Sequence, residues 1–187
     1  ARGDREGRVA LWECATGRKV RTLGGHDARV VSVVFSGDGR RVASASWDGT
    51  AAVWEVGGAA RPVSVVRAHR NKVWSAVFSG DGVWLATGST DATIAISEVE
   101  TGRTVRVLQG SGQTVQGLSF DATGTRLASY TGRGMVRWWE FPPREQTIKL
   151  GLRSMVTSVG VDGRGARVIL GGSEDGAEVW DVGARRL

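Results

Sequence analysis

Residues Gly25–Trp54, GHDARVVSVVFSGDGRRVASASWDGTAAVW, decide the fold. They contain three short runs, VVSVVF (30–35), RVASAS (41–46) and TAAVW (50–54), made of the β-branched, small and aromatic residues that suit a pleated, half-buried strand. Turn chemistry separates the runs: Gly37-Asp38-Gly39 after the first and Trp47-Asp48-Gly49 after the second. Asp-Gly between strand-forming runs signals a hairpin, because these residues tolerate the positive φ a tight turn needs. The stretch predicts a three-stranded antiparallel meander, and a fourth strand near Pro62–Arg67 completes a small sheet.

The pattern recurs. A second copy runs from Ala68-His69 through VWSAVF, SGDG, LATGS and Thr90-Asp91 to TIAIS. A third runs from Gly110-Ser111 through VQGLSF, DATG and LASYT to VRWWE, and a fourth through VTSVGV, DGRG, VILGGS and Glu174-Asp175-Gly176 to AEVWD. His26, His69, Ser111 and Leu152 are 43, 42 and 41 residues apart; Asp48, Asp91, Arg133 and Asp175 are 43, 42 and 42 apart. A steady period of this length with about four strands per unit marks a β-propeller blade. Each sheet is apolar on both faces and cannot bury itself alone, so blades must pack face to face around an axis.

The expected architecture is all-β: a propeller segment of four to five blades, each a four-stranded antiparallel sheet. Residues 1–24 read as the end of a blade, with two strands. Residues 25–67, 68–108 and 109–150 read as complete repeats, and 151–187 as an incomplete fourth. This leaves apolar blade faces at both ends, so ring completion by missing chain segments or by a second chain is expected.

The matched residues carry a resemblance. His26, Ser44, Asp48 and Trp54 stand at the offsets of a WD-repeat unit, and Val179-Trp180-Asp181 supplies the dipeptide that names the family. The chain thus resembles the WD-repeat β-propellers, usually seven-bladed, most of which are non-enzymatic scaffolds for protein–protein assembly. The resemblance implies a buried network in which the Trp indole N–H, Ser, His and Asp are linked in series. His26, Ser44, Asp48 and Trp54 match it fully. The second repeat keeps His69, Thr87 and Asp91 with Ser97 in place of Trp, and the third keeps Ser129 and Trp139 with Ser111 and Arg133 in place of His and Asp. Trp12, Trp54, Trp139 and Trp180 read as one series of core positions, whereas Trp84 and Trp138 read as cover for the lower face or a seam between blades.

Ser, His and Asp together also suggest a hydrolase triad. A single active site does not need the set in consecutive units, so the structural reading is preferred. Two histidines in separate repeats and one cysteine make no metal-ligand set, and no glycine-rich loop opens a helix to cradle a phosphate. No catalytic residue, cofactor or metal is expected.

The resemblance also places partner contacts on the top face, three and five residues after the His and one before the turn Asp. The positions are Arg29, Val31 and Trp47; Lys72, Trp74 and Thr90; Thr114, Gln116 and Gly132; and Met155, Thr157 and Glu174. Trp at the tip of a tight turn is a poor core residue, which singles out Trp47. With Trp74, Arg29 and Lys72 it makes a basic, aromatic patch of the residue types that dominate binding hot spots. Such a patch suits an acidic or phosphorylated peptide beside an apolar anchor; mutual packing of the two indoles as local cover is the competing reading.

The net charge of +6 comes from 25 basic residues, all but three of them arginines, against 19 acidic ones. The alternative functions are nucleic-acid binding by the basic face, although no run of arginines exceeds two, and service as an accessory propeller domain of a larger multidomain enzyme or regulator. No apolar stretch approaches the roughly 20 residues of a membrane span, so no membrane partner is expected. The single cysteine, Cys14, fits a reducing intracellular compartment, with the cytoplasm as the expected location.

Overall fold

The computed structural model describes residues 1–110, 112–132, 134–140, 145–146, 156–162, 167–172 and 177–181. Among them there is no helix, and so none long and apolar enough to cross a membrane. The strands form five antiparallel sheets. The first contains β1 (Arg2–Gly3), β2 (Val9–Trp12) and β3 (Lys19–Leu23). The second contains β4 (Val30–Phe35), β5 (Arg41–Ser46), β6 (Ala51–Glu55) and β7 (Ser64–Val66). The third contains β8 (Val73–Phe78), β9 (Trp84–Ser89), β10 (Thr93–Glu98) and β11 (Thr104–Gln109). The fourth contains β12 (Val115–Phe120), β13 (Arg126–Thr131), β14 (Val136–Glu140) and β15 (Glu145–Gln146), and the last β16 (Val156–Val161), β17 (Arg167–Gly172) and β18 (Ala177–Asp181).

Consecutive strands pair within each sheet, and the sheets stack in chain order. Strand β8 packs on β4 and β5, β12 on β8 and β9, and β16 on β12 and β13, while β1 packs on β4. The innermost strand of each blade therefore meets the first two strands of the blade before it, which is the propeller arrangement. One detail corrects the expectation: residues 1–24 hold three strands, because Arg2–Gly3 pairs with Val9 and Ala10.

Every hydrophobic cluster lies between two sheets. Val9, Leu11 and Leu23 of the first blade meet Val42, Ala52 and Trp54 of the second. Ala43, Ala45 and Val53 on the opposite side of that second sheet meet Val73, Phe78 and Leu85 of the third. The next seam joins Ile94, Ile96 and Leu108 to Leu118, Leu127 and Trp139, and the last joins Tyr130, Val136 and Trp138 to Val156, Val168 and Leu170. The period-2 alternation of a strand sends neighbouring residues, such as Val53 and Trp54, into different seams. Trp138 thus belongs to a blade-to-blade seam, and Trp84 packs against the third-to-fourth-blade cluster.

Exposure follows from which faces have neighbours. Trp12 and Trp54 hold the same register position, yet Trp12 is 48% exposed and Trp54 fully buried. The expected core role of Trp12 is therefore not realised in this chain, because its face looks away from the stack. Phe35 is likewise 49% exposed, while Phe78 and Phe120 in the matching places are buried. At the other end Ile169 and Val179 are about half exposed, whereas Ala43, Ala86 and Ala128 and Val53, Ile96 and Trp138 are covered by the next blade.

Candidate functional site

The top of each blade is built from two loops: the one leading into the inner strand and the turn between the second and third strands. In the second blade they are tied by a buried polar cluster. His26 Nδ1 lies 2.8 Å from Asp48 Oδ2, and Nε2 lies 2.7 Å from Ser44 Oγ. A carboxylate only accepts, so His26 donates Nδ1–H to Asp48, while its Nε2 faces the Ser44 hydroxyl. The Asp27 amide donates to Asp48 Oδ2 at 3.0 Å, and the Thr50 amide and hydroxyl donate to Oδ1 at 2.8 and 2.7 Å. Burial pushes the Asp48 carboxyl up, but the hydrogen bonds from Thr50, His26 and Asp27 outweigh it and hold the group below its ordinary value.

The third blade repeats this with changed parts. His69 Nε2 lies 2.8 Å from Thr87 Oγ1, and Nδ1 lies 3.0 Å from Thr93 Oγ1 and 3.3 Å from Asp91 Oδ2. The Arg70 and Thr93 amides donate to Asp91 at 2.9 Å each, and the Thr93 hydroxyl donates at 2.6 Å. Burial pushes Asp91 up, yet the bonds from Thr93 and Arg70 and the nearby His69 leave it lowered. Burial also takes His69 below its ordinary value, more than Asp91 raises it.

Two features of the network depart from the sequence reading. The Trp54 indole N–H makes no hydrogen bond; the indole stands edge-on to the His26 ring, with centroids 5.8 Å apart. The indole-to-serine bond is made in the fourth blade, whose Ser129 and Trp139 the sequence reading keeps: Trp139 Nε1 donates to Ser129 Oγ at 3.1 Å. In the second blade His26 holds the serine hydroxyl. The matching loop positions of the fourth blade, Ser111 and Arg133, lie outside the described residues. Thr50 and Thr93 were missed altogether. Their signal was present as Asp-x-Thr at the same place in two repeats. Ser44 is fully buried, and a nucleophile has to be reached by its substrate, so the cluster is built as a brace.

Above this brace lies the patch singled out from sequence. A register shift recurs at the start of every inner strand: between Val30 and Ser32, Val73 and Ser75, Val115 and Gly117, and Val156 and Ser158. Each shift leaves one residue outside the pairing: Val31, Trp74, Gln116 and Thr157. A bulge of this kind bends the strand and re-aims the side chain it frees. These are the positions five residues beyond the His position, so the bulge is the device that turns them from ladder to display.

Trp47 and Trp74 are half-buried and in contact, with centroids 5.8 Å apart and planes inclined at 58°. The Arg29 guanidinium carbon lies 5.2 Å and the Lys72 ammonium 4.4 Å from the Trp47 ring centre. Both distances fall within cation–π range. The Trp47 amide donates to the Arg29 carbonyl at 3.0 Å, which fixes the two loops together. Val31, Trp47, Trp74, Arg29 and Arg2 line an open cleft of about 470 Å³. Thr90 is half-buried beside Lys72, whose carbonyl accepts from its amide and hydroxyl. Thr114 is half-buried and Gln116 exposed on the fourth blade, where Gln116 lies over Gly132; they are not part of the two-indole cluster. Met155 and Glu174 lie outside the described residues, and Thr157 is exposed.

The profile of the family described as "WD domain, G-beta repeat" matches residues 17–55 and 60–96. Each match begins in the outer strand or linker of one blade and runs through the first three strands of the next. The chain is 30% identical over 192 residues to the guanine nucleotide-binding protein subunit beta of Arabidopsis thaliana, covering 94% of this chain and 51% of the relative. It is 38% identical over 48 residues to the periodic tryptophan protein 2 homolog of Schizosaccharomyces pombe, covering 26% of this chain and 6% of the relative. It is 41% identical over 54 residues to the protein ROOT INITIATION DEFECTIVE 3 of Arabidopsis thaliana, covering 29% and 12%. The chain spans about half the length of the first of these relatives and a smaller share of the other two.

Proposed function

Because the chain is a WD-repeat β-propeller segment, we propose that it is a non-enzymatic scaffold holding a peptide or protein partner on its top face, with residues 25–67, 68–108 and 109–150 each serving as a blade. One observation carries this reading: Trp47, Trp74 and Arg29 line an open cleft instead of a closed core, and the Lys72 ammonium stands over the Trp47 ring. The indoles offer a rigid apolar platform, and the two cations offer charge-assisted bonds to a carboxylate or phosphate. Val31 and Thr90 border the platform, and Thr114 and Gln116 extend the surface along the next blade. The guanine nucleotide-binding protein subunit beta of Arabidopsis thaliana is, as its name says, one subunit of an assembly, which agrees with a scaffold.

The test is a peptide array in which glutamate-rich and phosphoserine peptides carry one apolar anchor. It is probed with the parent chain and with the Trp47→Ala, Trp74→Ala double variant. The parent should retain a subset of acidic peptides and the variant should lose them while remaining folded. Binding to single-stranded oligonucleotide in preference to every peptide, with a steep loss on adding salt, would favour the nucleic-acid reading instead.

The half-exposed faces at the two ends of the stack support a second class of partner. We assign both to further blades of the same kind, contributed by more chain or by a second chain. The covered counterparts of Trp12, Ile169 and Val179 all pack against a neighbouring blade.

A further inference from the structure

The outer rim shows a pattern that the top-face reading does not use. Exposed cations and exposed valines alternate on the outer edge of three successive blades: Lys19 and Val20 in β3, Arg61 and Val63 at the approach to β7, and Arg106 with Val105 and Val107 in β11. The outer parts of these three blades are joined to one another across the two seams. Arg21 donates to the Gly58 carbonyl across the first seam. Ser64 Oγ donates to the Val99 carbonyl at 2.5 Å across the second, where Gly102 lies too close to the Val65 backbone for any side chain.

Charge on this rim is unbalanced. Arg18, Lys19, Arg61, Arg67 and Arg106 are exposed and form no ion pair among the described residues. Of the acidic side chains nearby, Glu98 is held by Arg103, Glu100 by Arg41, Glu13 accepts the Thr16 hydroxyl, and Glu55 stands beside Gly58. Cations on an outer edge discourage edge-to-edge pairing, but that role needs charge alone and leaves the exposed valines unexplained.

We propose that this rim docks peripherally on an anionic lipid surface, the cations facing the headgroups and the valines reaching the boundary beneath them. Aliphatic side chains interleaved with arginine and lysine suit that boundary. RNA is the weaker fit, because single strands are held largely by stacking on aromatic rings and β3, β7 and β11 carry none. Docking of this kind needs no membrane-spanning segment.

The experiment is co-sedimentation of the full chain with phosphatidylcholine vesicles, with and without a one-third share of phosphatidylserine. The parent should sediment only with the anionic vesicles and be released by salt. Lys19→Gln, Arg61→Gln and Arg106→Gln should each weaken binding about fivefold, in line with the usual worth of one basic residue near such a surface. Val20→Ser with Val107→Ser should weaken it several-fold at unchanged charge. All five positions are exposed, and an unchanged unfolding midpoint verifies the fold of each variant. No sedimentation of the parent with anionic vesicles would overturn the proposal, as would binding to polyuridylate without binding to vesicles. A valine variant that binds as tightly as the parent would also overturn it, leaving only nonspecific charge attraction.

Discussion

Gly117 lies directly opposite Tyr130 in the β12–β13 pairing, and the missing side chain of one makes the space that the ring of the other fills. The corresponding pairs are Ser32 with Ala45 and Ser75 with Gly88, so the fourth blade has moved bulk from the inner strand to the second. The Tyr130 hydroxyl then reaches the next blade and donates to the Thr157 carbonyl at 2.6 Å. A Cβ on Gly117 would stand 2.0 Å from Tyr130 Cε1. Gly117→Ala should cost about 1–3 kcal/mol by overpacking, and Gly117→Ala with Tyr130→Ala should be less damaging than the two single changes summed. Urea unfolding of the four members of this cycle measures the coupling.

Thr50 is the residue the network depends on beyond the matched four. Its hydroxyl and amide both donate to Asp48 Oδ1. Thr50→Val keeps the shape and the amide bond but removes the hydroxyl, and should destabilise the chain by about 1 kcal/mol. Thr93→Val should do the same beside Asp91, and denaturant midpoints check both.

Ala92 adopts φ +68°, in the left-handed region, where the matching turns use Gly49 at +86° and Gly134 at +74°. A side chain with a Cβ pays about 1–2 kcal/mol there, while glycine pays a smaller entropic cost in the unfolded chain. Ala92→Gly should therefore raise the unfolding midpoint, and Gly49→Ala should lower it.

The strands and blades were legible because Asp-Gly turns and period-2 apolar runs are local signals, repeated in phase. β1 was not, since two residues next to a loop carry no pattern of their own. The exposure of Trp12 was hidden for a different reason: it has the sequence context of Trp54, and only the presence or absence of a neighbouring sheet distinguishes them. The Trp54 bond failed because Ser44 has to serve two candidate partners, a competition that spacing does not reveal. The Trp47–Trp74 contact was foreseeable as two aromatic residues on adjoining blades. The bulges that display Val31, Trp74 and Gln116 were not, because an extra residue in an inner strand leaves the alternation looking continuous. The rim pattern joins segments some 40 residues apart in sequence and becomes visible only when outer strands lie side by side.

Acid should unfold the protein in a defined order. His69, Asp48 and Asp91 all have lowered pKa values in the fold. The unfolded chain therefore binds protons more readily at each, and stability falls as pH falls. The His69 contribution is intact above its ordinary value of 6.5 and is lost as pH drops toward its lower folded value. The aspartate contributions are intact above 3.8 and are lost as pH falls through their lowered folded values. Urea midpoints measured from neutral to acid should decline in these two stages, and His69→Gln should remove its share of the earlier one.

Thermal unfolding of Trp47→Ala beside Trp54→Ala tests most directly whether blade seams hold the fold while the top face is left for recognition. Trp54 is fully buried in a seam and its loss should cost about 3–5 kcal/mol; Trp47 is half-buried on the face and its loss should cost no more than about 1 kcal/mol. A Trp47→Ala variant that melts as early as Trp54→Ala would contradict the account and make the indole pair a structural cap.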